Sequence, residues 1–241
     1  PEARGDRAVR LVDNGGSVKR LIRHIGLSRT FQAGSLPATA LREVDPNNRL
    51  LQHYPARRLE AEGIRDAILT ASGRLDPQMF GQSVQPFRES SNADRRLFAG
   101  PLDGDGRRTI YIKNNLMEPP KFLGVFNMPG GKVTQGQRAP TNVPAQALAR
   151  LNDPFVLQQA EYWAERLVTR DQDSVAKRIE SMFRTALGRK PTVEELGQFE
   201  AAAMQLAELH EVSKKDVLKS RPVWKDVAHA FFNLKEFIYI P

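Results

Sequence analysis

Residues 141–156 read TNVPAQALARLNDPFV, and the two prolines decide how this part of the chain folds. Proline suits the first turn of a helix, where its missing N–H would have had no intrahelical partner. Pro144 and Pro154 therefore predict two helix starts, with Asp153 as N-cap of the second. Asn152 and Asp153 then form a sharp turn between two packed helices. Ala145, Leu148 and Leu151 supply a narrow apolar stripe for the first helix, and Thr141 or Asn142 stands where a cap is needed. Gln146 and Asn142 are amides that require backbone partners if buried. A helix–loop–helix joint is the main reading. A binding loop that uses Asn142, Gln146 and Asn152 is the other.

Helical signals continue on the C-terminal side. Val175, Ile179, Met182, Phe183 and Leu187 share one face and stop at Gly188. Thr192 and Glu195 form a T-x-x-E capping box before the next apolar run. Val223, Trp224, Val227, Phe231 and Leu234 mark a last helix. On the N-terminal side, Val18, Leu21, Ile22 and Ile25 lie on one helical face opposite Lys19, Arg20 and Arg23, with Ser17 as N-cap. The stretch from Pro55 to Gly73 is a further helix with Leu59, Ile64, Ala67, Ile68 and Ala71 as its stripe. Residues 76–108 are rich in Gly, Pro, Ser and Asp and show no period, which predicts a long loop. RRTIYIK and KFLGVFNM, after it, are short strand candidates for a small β-hairpin. The expected fold is mainly α, a helical bundle-like domain with that hairpin and a long central loop. Its parts are N-terminal helices over 1–75, the loop and β element over 76–142, and a helical part over 143–241.

Composition narrows the function classes. Apolar residues are 40% and charged residues 27% of the 241, which argues against disorder. The net charge of +8 invites a nucleic-acid reading. The excess is spread over both halves, with no basic arm, zinc-finger spacing, RNA-recognition aromatic signature or glycine-rich phosphate loop, so specific nucleic-acid binding is not expected. Without cysteine, disulfides, thiolate metal sites, a Cys nucleophile and thioether-linked haem are excluded. The four histidines show no metal-ligand spacing, and DGDG at 103–106 lacks the later ligands of a calcium loop, so no metal is expected. No apolar run reaches membrane-spanning length. The opening residues carry no signal stretch, and the chain is expected to be part of a longer protein.

The strongest polar group is on the 57–66 segment. Arg58, Glu62, Arg65 and Asp66 are spaced for an intrahelical ion-pair ladder. The functional alternative has Arg57 or Arg58 reaching out to a carboxylate or sulfate. Trp163, Trp224, Phe231 and Phe232 read as core, with sugar platforms the alternative. No G-x-S-x-G marks a serine nucleophile, and catalytic residues are not assigned.

Taken in order, RRLEAEGIRDAILTASGRLD (57–76), RRTIYI (107–112), TNVPAQALARLNDPFV (141–156), RIESMFRTALGRKPTVEEL (178–196) and FFNLKEFIYI (231–240) resemble a planctomycete domain. It is the C-terminal domain of unknown function, number fifteen-fifty-three, that follows cytochrome c modules in large proteins. The likeness runs from about Val9 to Ile240. It implies export to the periplasm or cell surface, upstream partner domains in the same polypeptide, and haem c on a neighbouring module only. Two departures stand out: the family's more N-terminal part is almost wholly absent, and Gly63 sits inside a helix at a cost of about 1 kcal/mol against Ala. The resulting expectation is an interaction or scaffold module packing on upstream domains. The alternative is half of a polysaccharide-directed or redox enzyme with its site at an interdomain interface.

Overall fold

The cap signals recur as geometry in a computed structural model, which describes every residue except 1, 37, 38, 134, 135, 137, 139, 140, 171–173 and 241. Ser17 accepts from the Arg20 N–H at the start of α2. Thr192 and Glu195 exchange both bonds of the capping box. Gly188 ends its helix in the left-handed region, at φ 70°. The chain falls into two compact units, residues 1–57 with 239–241, and residues 58–238.

The first unit holds α1 (Glu2–Asp13), α2 (Val18–Gly26) and α3 (Thr39–Val44). Asp45 organises the turn after α3, its two carboxylate oxygens accepting the N–H groups of Arg49 (2.9 Å) and Leu50 (2.8 Å). None of its described apolar side chains is buried. Val18 and Ile22, on the α2 stripe, are 59% and 64% exposed.

The second unit contains α4 (Ala61–Ser72), α5 (Lys121–Val125), α6 (Pro144–Asn152), α7 (Pro154–Val168), α8 (Val175–Leu187), α9 (Val193–Leu209) and α10 (Arg221–Asn233). Helix α7 lies at its centre, packed on α4, α6 and α10, while α9 packs on α8 and α10. Ile64 and Ile68 of α4 and Val156, Ala160, Trp163 and Leu167 of α7 are fully buried. Trp163 meets Phe231 and Phe232 at 5.7 and 5.4 Å between ring centres, and Phe183 meets Phe231 edge-on at 5.0 Å. Burying one such side chain stabilises by about 1.5–3 kcal/mol, so this aromatic cluster contributes strongly to cohesion beside the buried aliphatic residues of α4 and α7.

The β element is not where the sequence placed it. RRTIYIK folds as a 3-10 turn over Thr109–Tyr111, and KFLGVFNM as α5. The strands among the described residues are the two-residue Arg57–Arg58 and Tyr239–Ile240, paired with each other. Helix α4 also starts at Ala61 rather than at Pro55. The loop over 76–108 is held by isolated bridges, Asp76 with Arg107 and Phe87 with Gly100. Gly100 is required there, because a Cβ would lie 1.9 Å from the Gln85 carbonyl oxygen. At Gly63, by contrast, a Cβ would meet only Leu59 at ordinary contact distance.

Candidate functional site

The expected ion-pair ladder on α4 does not form, and each of its members reaches a partner distant in sequence. The Arg58 guanidinium donates to the Thr141 carbonyl, to Gln146 Oε1 at 2.5 Å and to Asn127 Oδ1 at 3.1 Å. Gln146 is buried and donates to the Val125 carbonyl (3.0 Å) and to Asn127 Oδ1 (3.2 Å). Thr141 Oγ1 donates to the same oxygen at 2.9 Å. Asn127 sits at φ 68°, a left-handed conformation that Asn tolerates better than most residues. Glu62 takes a bidentate pair from Arg138, at 2.6 and 2.9 Å. Burial opposes the Glu62 charge, yet the Arg138 bonds hold its carboxyl below the usual range. Asp66 Oδ1 accepts from the Thr109 N–H (2.8 Å) and hydroxyl (2.6 Å). Arg65 donates to the Arg107 carbonyl (2.9 Å), Thr109 Oγ1 (3.1 Å) and the Asp103 carbonyl (2.6 Å).

Of the residues singled out from sequence, Arg58 and Gln146 are brought together, Arg65 and Asp66 both hold the 103–109 segment and share the Thr109 hydroxyl, and Glu62 holds Arg138. Asn142 and Asn152 are exposed, and Arg57 is an exposed residue of the first unit. The expected stripe of α6 is corrected too. Leu148 and Leu151 are exposed, and the side chain that α6 buries is Gln146. Val143 occupies the N-cap position with no side-chain bond, since Thr141 is engaged by Asn127. Asp153 does cap α7, accepting from the Phe155 N–H at 2.9 Å. The Arg58 cluster is thus filled by its own members and acts as a clasp between the start of α4, the end of α5 and α6.

Open space lies elsewhere in the second unit. A cleft of about 400 Å³ is lined by the 86–104 loop, residues 112–123 and the start of α7. Arg65, Arg88, Arg95, Lys121, Glu118 and Asp153 contribute its charged lining, with Glu89 at Lys121. Arg88 pairs with Glu118, Nη1 to Oε1 at 2.7 Å and Nη2 to the carbonyl at 2.8 Å. Burial pushes the Asp153 carboxyl up, partly offset by the Phe155 bond. Phe122 and Phe155 meet edge-on at 5.4 Å. Apart from Arg65, sequence reading missed these residues as a group, because the loop that carries several of them has no period to follow. The DGDG stretch is a 3-10 turn in which Asp103 accepts from the Asp105 N–H. Among the described residues no cluster of metal-ligating side chains occurs, and no helix is long and apolar enough to cross a membrane.

A protein-family model, PSD1, protein of unknown function (DUF1553), matches residues 7–203. No curated protein and no solved structure matches.

Proposed function

Because the chain belongs to the PSD1 family of proteins of unknown function (DUF1553), we propose that it is an interaction module of a larger exported protein, docking through residues 1–57 onto another segment of the same polypeptide. One observation carries this reading: an amphipathic α2 stands in a unit whose described apolar side chains are all unburied. Such a face gains stability only from cover supplied by a partner. Export and a neighbouring cytochrome c module belong to the same reading and rest on the resemblance to planctomycete proteins. Thioether-linked haem would have to be carried by that other module, since this chain has no cysteine.

Hydrogen exchange tests the proposal. In this chain alone, the α2 amides are expected to exchange close to their unprotected rates. In the longer natural protein they should slow by at least about tenfold, as local opening becomes linked to undocking. Equal exchange in the two proteins defeats the proposal.

A further inference from the structure

The cleft of the second unit involves no residue of 1–57 and raises a separate question. Its volume, about 400 Å³, suits one small organic ligand. Charge accounting shows which kind. Arg88 is taken up by Glu118, and Lys121 faces Glu89 at 3.7 Å. Two guanidinium groups are then left over. Arg95 is exposed, and its side chain has no hydrogen-bond or ion-pair partner among the described residues. Arg65 is bonded to neutral oxygens, and its nearest carboxylate, Asp66, is 3.8 Å away and already holds Thr109. Arg88 adds a further unmet donor: its side chain is 7% exposed and its Nε is buried without an acceptor. The remaining lining carboxyl, Asp153, is in surroundings that disfavour its charge. Beside these groups lie three rings, Phe87, Phe122 and Phe155.

We infer that the cleft binds a small organic anion, a carboxylate on a ring-sized apolar body, with Arg95 holding the head, Arg65 adding positive field behind it, and the three phenylalanines packing the body. Guanidinium and carboxylate match as paired donors and acceptors, and the rings exclude water from one side of the pair. The inference goes beyond the docking role and does not depend on it.

Calorimetric titration with 2-naphthoate, and with 2-naphthamide as its neutral isostere, tests the inference. Naphthoate is expected to bind one per chain with a Kd on the order of 0.1–1 mM, and the amide at least about tenfold more weakly. Arg95→Gln should weaken naphthoate about tenfold and leave the amide unchanged, while Phe87→Ala should weaken both. Arg95 and Phe87 are both exposed, so the variants should melt as the parent does. Equal affinity for acid and amide overturns the inference. So does the absence of heat up to about 5 mM, or unaltered naphthoate binding in Arg95→Gln.

Discussion

At Asn127, donors from Arg58, Thr141 and Gln146 converge on one amide oxygen, and none of the acceptors around Arg58 carries a charge. A carboxylate in that place would keep the three donors and add a charge-assisted partner for the guanidinium. Asn127→Asp is therefore expected to stabilise the chain by about 1 kcal/mol at pH 7, a rise of roughly 2–4 °C in Tm. The folded-state pKa of the new carboxyl would be depressed by Arg58. Its gain is then present above the unfolded value, about 3.9, and lost as pH falls below it. Melting curves at pH 7 and pH 3 read the difference, and coincident curves at pH 7 would sink the idea. Arg58 and Gln146 were legible in sequence as polar residues worth following. Asn127 was not, because nothing local marks the residue on which side chains from 58, 141 and 146 meet. The same holds for the basic composition. Arg65, Arg88, Arg107, Arg150 and Arg166 all donate to backbone carbonyls of distant segments, so part of the positive charge serves the fold itself.

Helix boundaries were legible wherever one residue sets them, as at Ser17, Asp153, Thr192 and Gly188. The strand expectations failed for a physical reason. In KFLGVFNM the buried residues are Leu123 and Phe126, an i, i+3 pair that fits a helix turn, and in RRTIYIK Ile110 is 76% exposed, so its alternation faces no sheet. One element junction has a measurable pH dependence. Arg189 makes paired bonds to Glu195 at the start of α9 (2.8 and 2.6 Å) and to Glu236 after α10 (2.7 and 2.6 Å). These bonds, with the Thr192 N–H, hold the Glu195 carboxyl down to about 2. A depressed carboxyl contributes stability above its unfolded value, about 4.3, and that contribution disappears as pH falls toward the folded value. The group is about a third exposed, so solvent screening limits the junction to about 1 kcal/mol. Arg189→Met should thus lower Tm by roughly 2–4 °C at pH 7, with the gap to the parent closing between pH 4 and 2. A gap of constant size across that range would mean the pair is not what joins α9 to the 236 turn.

Across the whole molecule, cohesion is concentrated in residues 58–238, where every buried apolar side chain among the described residues lies. Substituting Val18 and Ile22 together by lysine should leave the main thermal transition within about 1 °C, because exposed substitutions stay near ±0.5 kcal/mol. Trp163→Ala should cost about 3–5 kcal/mol. A large Tm loss from the lysine pair would show that α2 is already covered, and would remove the observation on which docking rests. Amphipathic spacing made α2 legible from sequence, but periodicity says only that one face is apolar, never what covers it.

The first unit is also discontinuous in sequence, since residues 239–241 belong with residues 1–57. During synthesis its opening helices leave the ribosome before any of the second unit exists, yet the unit lacks its last strand until residue 240 has been added. It is begun first and finished last, with about 180 intervening residues free to fold in the meantime. Translation order therefore gives the second unit time to form around Trp163 while the apolar face of α2 waits for its last strand.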